Sequence, residues 1–188
     1  SRFTIEETPL QGLTRLERVP IGDSRGFLTR IFCGEELMEA GWNGAIAQIN
    51  HTRTERKGTV RGMHFQRPPM AEVKMVRCIR GAVFDVLVDI RVDSPTYLHW
   101  HGEVLSAENM RLMVVPEGFA HGFQALEPMS EVMYLVTQYY SPECEGGLRH
   151  DDPQLGIEWP LSITDVSAKD AAHPLIAEGF EGIHMEVS

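Results

Sequence analysis

The stretch KMVRCIRGAVFDVLVDI, residues 74–90, decides the fold of this chain. Side chains of an extended chain point alternately to its two faces. From Ala82 to Ile90 every second residue is apolar, whereas Asp85 and Asp89 fall on the opposite face. The pattern therefore predicts two consecutive strands joined by a turn at Gly81, the second of them half-buried with its aspartates toward solvent.

Shorter stretches of the same kind lie on both sides. Further strands are predicted at 27–32, 46–51, 98–104, 111–115, 122–126 and 131–139. Turn residues separate most of them at intervals of roughly 8–12 residues, as in β-sandwiches and small barrels. Short helices are predicted at 35–40, before Gly41, and after Ser167, a capping residue with Asp170 at the third helical position. We therefore expect an all-β sandwich or barrel with a few short helices.

The composition is that of one globular domain. With 188 residues, 43% of them hydrophobic, the chain can bury one sizeable core. We expect a single domain over 1–188, with N-terminal strands in 1–20 and a short helix and tail in 160–188. A net charge of −10 argues against binding to nucleic acid or an anionic membrane. Three widely spaced cysteines, without a recognisable signal peptide or spanning segment, favour the cytoplasm.

Polar residues in otherwise apolar strands indicate a pocket. The segment RGMHFQ, residues 61–66, places His64 between apolar neighbours, and Gln48, Asn50 and Lys74 lie in or beside other predicted strands. Burying such groups without partners is costly. A pocket for a polar, anionic ligand accounts for several of them at once.

The pocket requires an irregular strand. Arg61 and His64 differ in strand parity, so a regular strand would point them to opposite faces. A β-bulge at Gly62 would turn both side chains to the same side.

The stretch PEGFAHGF, residues 116–123, is the most specific short pattern. Its P-x-G-x-x-H turn before a strand resembles the second conserved motif of cupins, and the strand alternation points His121 inward. A metal-dependent cupin oxygenase would combine His121 with His64 and with His99 or His101. The first-motif region offers only His64, without an H-x-H pair or a downstream glutamate, which makes a poor metal site. We expect no metal, and a solvated or interface face for His99 and His101.

Further motifs stand in a recognisable order. They are SRGF (24–27), QINH (48–51), VRGMHFQ (60–66), KMVR (74–77), GAVFDV (81–86), DIR (89–91), SPT (94–96), LSAEN (105–109), PEGFAHGF (116–123), YYSP (139–142), DDP (151–153) and GIEWP (156–160). Over residues 20–175 this series resembles the dTDP-4-dehydrorhamnose 3,5-epimerase family. The resemblance implies a cupin-type jelly-roll β-sandwich or barrel. It also implies a cofactor-independent isomerase acting at C3, C5 or both of a nucleotide-activated 4-keto-6-deoxyhexose.

The residue roles of that family fall on particular positions of this sequence. The resemblance assigns the base to His64, in the R-G-x-H motif, and the acid to Tyr134. Asp170 is expected to pair with His64 and orient it, and Lys74 to lie beside the keto oxygen. The implied substrate-binding positions are Arg25, Arg30, Gln48, Asn50, Arg61, His121, Tyr140, Glu145 and Lys169.

These residue types suit the chemistry. A hydrogen next to a ketone is acidic because its loss gives an enolate, and imidazole is the usual base near neutral pH. A lysine can stabilise the enolate oxygen, and a tyrosine can return a proton from the opposite face. No cofactor is required. The resemblance also implies a homodimer paired through the N-terminal strands. A further alternative for the function is a protein that binds a nucleotide sugar without catalysing a reaction.

One departure concerns the nucleotide. Arg30 stands where the family often has a glutamate that faces the thymine ring. Thymine N3 carries a proton and needs an acceptor, whereas cytosine N3 is itself an acceptor and suits arginine. Two readings remain: a CDP-linked substrate, or a thymine nucleotide with Arg30 turned away from it.

Overall fold

Alternating apolar residues fold this chain into two antiparallel sheets in a computed structural model, which describes residues 1–185. The strands are β1 (Phe3–Glu7), β2 (Thr14–Arg18), β3 (Ile21–Asp23), β4 (Gly26–Leu28), β5 (Gln48–Thr54), β6 (Val60–Gln66), β7 (Lys74–Arg80), β8 (Ala82–Asp89), β9 (Trp100–Ser106), β10 (Arg111–Val115), β11 (Phe119–Ala125), β12 (Ser130–Val136) and β13 (Glu145–Gly147). One sheet has the order β1-β2-β10-β7-β12-β5 and the other β13-β6-β11-β8-β9, while β3 and β4 form a separate hairpin.

The helical segments are short, and the predicted stop at Gly41 and cap at Ser167 are confirmed. The segments are the 3₁₀-helices Glu36–Ala40 and Ile176–Glu178 and the α-helix α1 (Ala168–Ala171). Gly41 ends the first in the left-handed conformation, and the Ser167 side chain accepts a hydrogen bond from the Asp170 amide at the start of α1. The all-β prediction with a few short helices is confirmed. Within residues 1–185, none of the helices has the length and apolar character needed to cross a bilayer.

The central core lies between the two sheets. Val76 and Cys78 of β7 pack there against Leu87 of β8 and Phe123 of β11. Met75 points the other way, into a second cluster on the outer face of the six-stranded sheet. The alternation predicted for residues 74–80 is therefore confirmed, and it aims Lys74 into the space between the sheets.

Strand β8 is buried on both faces, so the prediction of a half-buried strand is wrong. Val86 and Ile90 pack in a third cluster against Leu148 and other residues from the C-terminal part of the chain. This later segment covers the face that would otherwise meet solvent. Asp85 and Asp89 lie on the opposite face, where both are 0% exposed. The two carboxylates consequently need partners inside the protein.

Strand β6 contains the predicted irregularity at Gly62. The register of β6 against β11 shifts by one residue between Arg61 and His64. Gly62 has a φ of +119°, and a Cβ there would lie 2.5 Å from the Gly122 Cα, so only glycine fits. The shift brings Arg61 and His64 to the same cavity.

Several strand boundaries differ from the prediction. The strand expected at 27–32 ends at Leu28, since the residues after it cross the outer face of the six-stranded sheet, where Phe32 packs. Strand β5 continues to Thr54, into the segment expected to be a loop, because it pairs with β12 along its whole length. The strand expected to reach residue 139 ends at Val136.

Candidate active site

A cavity lies between the two sheets, and its two adjoining lobes share three side chains, His64, Lys74 and Tyr134. The larger lobe has a volume of about 390 Å³ and the smaller about 140 Å³. His64 belongs to the five-stranded sheet, whereas Lys74 and Tyr134 come from the neighbouring strands β7 and β12 of the six-stranded sheet. A ligand in the cavity is therefore flanked by His64 on one wall and Tyr134 on the other.

Asp170 holds the ring of His64. His64 Nε2 lies 2.6 Å from Asp170 Oδ1, and the Gly62 amide donates a hydrogen bond to Asp170 Oδ2 at 3.1 Å. Burial would raise the pKa of Asp170, but the hydrogen bonds from His64 and Gly62 outweigh it and lower the pKa to about 2. The carboxylate thus stays charged at neutral pH and favours the tautomer with a proton on Nε2. Nδ1 is then the ring nitrogen that can accept a proton.

Lys74 and Tyr134 form the opposite wall. Lys74 Nζ lies 5.3 Å from the centroid of the Tyr134 ring, within cation–π distance. Burial raises the pKa of Tyr134, and the nearby Glu72 raises it further. The phenol is therefore protonated at neutral pH and can donate its proton.

Glu72 introduces a carboxyl group beside this wall. Its Oε1 lies 3.6 Å from Lys74 Nζ, and its side chain is 16% exposed. Burial raises the pKa of Glu72, while Lys74 opposes that rise. No role was predicted for Glu72 from the sequence, because a lone acidic residue after a Pro-rich turn carries no motif.

His121 lines the larger lobe and pairs with a buried carboxylate. It is the cross-strand neighbour of His64, and its Nε2 lies 2.6 Å from Asp85 Oδ1. Burial lowers the pKa of His121, although Asp85 acts in the opposite direction. The prediction that Asp85 faces solvent is therefore wrong; an acidic residue within a long apolar run was the available signal.

The predicted substrate-binding residues fall into two sets around the cavity and one outside it. The larger lobe is lined by Arg61, His121 and Lys169. The smaller lobe is lined by Gln48, Asn50, Tyr140 and Glu145. Neither lobe is lined by Arg25 or Arg30.

Arg25 and Arg30 lie near the β3–β4 hairpin, away from the two lobes. The Arg25 side chain is 88% exposed and pairs with Asp23. Arg30 Nη1 lies 2.8 Å from Glu36 Oε2. Within one chain these two arginines are not brought to the cavity.

Three side chains connect the rims of the two lobes. Tyr140 Oη donates a hydrogen bond to Glu145 Oε2 at 2.8 Å, and Lys169 Nζ donates to Glu145 Oε1 at 2.9 Å. Burial would raise the pKa of Glu145, but Lys169 and Tyr140 lower it overall. Glu145 is therefore a carboxylate that ties β13 to the helix carrying Asp170.

Of the histidines of the oxygenase alternative, His64 and His121 line one lobe of the cavity, whereas His99 and His101 line neither lobe. His121 is bonded to Asp85, while His101 Nε2 lies 3.5 Å from Glu103 on β9. His99 is exposed. In the described part of the chain, the histidine and acidic side chains close enough to share an ion are His64, Asp170 and His173. This set lacks His121, so it differs from the arrangement that a metal cupin would need.

A separate cavity of about 510 Å³ lies near the β1–β2 turn and is lined by Glu7, Glu39, Arg91 and Glu117 among others. Among the described residues that line it there is no histidine, tyrosine or lysine. The chemistry is therefore assigned to the cavity around His64.

Comparison with known proteins identifies the family. Residues 7–178 match the family model for dTDP-4-dehydrorhamnose 3,5-epimerase. The enzyme of that name from Salmonella typhimurium is 45% identical over 172 residues, which cover 90% of this chain and 93% of that protein.

Solved structures agree. A 3,5-epimerase from Legionella pneumophila in complex with dTDP-4-keto-L-rhamnose has a TM-score of 0.91 and 38% identity, covering 98% of this chain and 99% of that one. A 3′-monoepimerase from Streptomyces bikiniensis in complex with dTDP-quinovose has a TM-score of 0.85 and 32% identity, covering 92% and 87%. The chain belongs to the dTDP-4-dehydrorhamnose 3,5-epimerase family.

Proposed function

We propose that this protein epimerises a dTDP-linked 4-keto-6-deoxyhexose at C3 and C5. The observation that carries the proposal is the placement of His64 and Tyr134 on opposite walls of one cavity, with Lys74 beside Tyr134. Inversion needs a proton to leave one face of the sugar ring and another to arrive at the other face. The dTDP-sugars bound in the two solved structures named above support the same substrate class.

The proposed reaction proceeds through an enolate. His64 Nδ1 takes the hydrogen from the carbon next to the ketone, and the electron pair of that bond moves toward the keto oxygen. The Lys74 ammonium group stabilises the resulting negative charge. Asp170 stabilises the imidazolium that forms on His64. Tyr134 Oη then protonates the same carbon from the opposite face, which inverts its configuration.

The residues at the rim are proposed to hold the nucleotide part. Arg61 is fixed by hydrogen bonds to Thr54 Oγ1 at 2.9 Å and to the Arg53 carbonyl at 3.1 Å. Arg61 and Lys169 place positive charge on the larger lobe of an otherwise acidic protein, which suits a diphosphate. The ion pair of Arg30 with Glu36 supports the reading in which Arg30 does not read the base. A thymine nucleotide is therefore favoured over a cytosine nucleotide.

The direct test is exchange of the carbon-bound hydrogens with solvent. We expect the protein, incubated with dTDP-4-keto-6-deoxyglucose in deuterium oxide, to place one deuterium at C3 and one at C5 of the product, as read by NMR and mass spectrometry. A product without deuterium at either carbon would refute the proposal. Deuterium at one carbon alone would favour the single-centre alternative. The same assay with the CDP-linked sugar tests the base, and faster turnover of that substrate would restore the CDP reading.

We also propose a homodimer. The β3–β4 hairpin leaves Phe27 64% and Leu28 67% exposed, and a second copy of the chain would cover these apolar side chains. Such a contact would also bring Arg25 of one copy toward the cavity of the other copy, whereas it does not reach the cavity of its own chain. Light scattering is expected to give about twice the chain mass of 21.2 kDa. A Phe27→Asp/Leu28→Asp variant should be monomeric, and a monomeric parent protein would contradict this proposal.

The cytoplasm is the proposed location. Cys33, Cys78 and Cys144 are free thiols, as expected in a reducing compartment. Cell fractionation tests this assignment.

A further inference from the structure

Two imidazole rings converge on one carboxylate oxygen behind the wall of the cavity. Asp170 Oδ1 lies 2.6 Å from His64 Nε2 and 3.6 Å from His173 Nε2. The second distance is too long for a hydrogen bond, and His173 Nε2 is buried without a hydrogen-bond partner. The three donor atoms lie within 4.8 Å of one another. His173 thus aims an unused nitrogen at the carboxylate that orients His64.

The backbone around this group keeps the two rings together. Gly147 of β13 is the cross-strand partner of His64. A Cβ at Gly147 would lie 2.2 Å from His173 Nε2, so the glycine leaves the space that the ring of His173 occupies. The two rings stand 6.1 Å apart, centroid to centroid, at an interplanar angle of 74°. Asp170 is fixed from the other side by the Gly62 amide.

We propose that His64, Asp170 and His173 bind a zinc-type divalent ion and that this ion inhibits the enzyme. Two imidazole nitrogens with one carboxylate oxygen are a donor set that Zn²⁺ prefers, and a water can fill the fourth position from the cavity. A tetrahedral ion at about 2.0–2.1 Å from each ligand keeps donor atoms roughly 3.3 Å apart, so side-chain shifts on the order of 1 Å suffice. His64 is the ligand that faces the cavity, with a side chain 41% exposed.

The inhibition follows from the tautomers of His64, and this consequence rests on the proposed function. A neutral imidazole carries one proton, which Asp170 holds on Nε2 in the absence of an ion. An ion on Nε2 needs the lone pair of that nitrogen, so the proton must move to Nδ1. Nδ1 is the nitrogen proposed to accept the proton of the sugar. The ion therefore occupies one nitrogen of the base and blocks the other.

Metal binding can be measured without any assay of activity. Untagged protein, first treated with EDTA, is titrated with Co²⁺, a spectroscopic substitute for Zn²⁺. We expect one ion per chain with the visible absorption of tetrahedral Co²⁺, displaced by Zn²⁺. Replacing His173 by Asn or by Gln should weaken binding by roughly 10- to 100-fold. Equal affinity in the parent protein and both variants, or a lack of tetrahedral absorption in the parent, would overturn the site.

A second arm measures the effect on turnover. Without metal, His173→Asn should exchange deuterium into the substrate at the parent rate. Zn²⁺ should inhibit the parent protein, and EDTA should reverse that inhibition. The variant should need at least roughly tenfold more Zn²⁺ for the same inhibition. His51→Asn is the matched control, because His51 also pairs with a carboxylate, Glu131, at 2.8 Å, and its inhibition should match the parent.

The outcomes of the two arms are distinguishable. Identical Zn²⁺ inhibition of the parent protein and His173→Asn would overturn the inhibitory site. His173-dependent Co²⁺ binding in a protein without epimerase activity would support the metal site while refuting the proposed function.

Discussion

Replacing His64 with alanine is expected to reduce epimerisation and deuterium exchange at both carbons alike, by about 10³-fold. The substitution removes the group proposed to take the proton. Inversion and deuterium exchange both require that proton to be removed. Asp170 is not placed to take over, because its side chain is only 7% exposed and stays bonded to the Gly62 amide. Rates of exchange and of product formation, measured by NMR on the same sample, provide the test.

The control for His64→Ala is His51→Ala. His51 resembles His64 in pairing with a carboxylate, yet its side chain is 55% exposed and it lines neither lobe of the cavity. We expect it to retain the parent rate. Thermal unfolding of both variants separates loss of the base from loss of the fold. Full turnover by a folded His64→Ala protein would show that another group removes the proton.

The sequence predicted the strands better than it predicted which faces are covered. Residues 74–80 alternate between two apolar clusters, and this local pattern was sufficient to aim Lys74 inward. The same reasoning failed for Asp85, which is fully buried. Asp85 lies on the Leu87 face, which packs against the six-stranded sheet, while Leu148 from a distant part of the chain covers the opposite face. A local alternation shows that a strand has two faces, but the cover of each face depends on tertiary packing.

Contacts within the site likewise divide into those that the local sequence pattern predicts and those that depend on tertiary packing. The parity difference between Arg61 and His64 pointed to an irregularity at Gly62, and the structure has it there. The contact between His64 and Asp170 spans 106 positions. Spacing in the sequence gives no means to find such a contact, and the family resemblance was its only source. His173 had no signal of either kind, because its proximity to His64 depends on the space left at Gly147.

Replacing Tyr134 with phenylalanine is expected to separate exchange from epimerisation. The change removes the hydroxyl group and keeps the ring that packs in the central core and faces Lys74. His64 and Lys74 remain, so the carbon-bound hydrogen should still leave and deuterium should return to the same face. We expect exchange within about tenfold of the parent rate, and net inversion lower by roughly 10²- to 10⁴-fold. The readout is deuterated substrate of unchanged configuration.

The control for this variant is Tyr139→Phe, which removes a hydroxyl from a side chain that is 64% exposed. It should change neither rate. If Tyr134→Phe lost exchange and inversion to the same extent, the hydroxyl would act before or during proton removal, for example by stabilising the enolate. If it kept both rates, the proton donor would lie elsewhere on that wall. Only the loss of inversion with retained exchange supports a base on one sheet and an acid on the other, which is the arrangement that the cavity between the sheets provides.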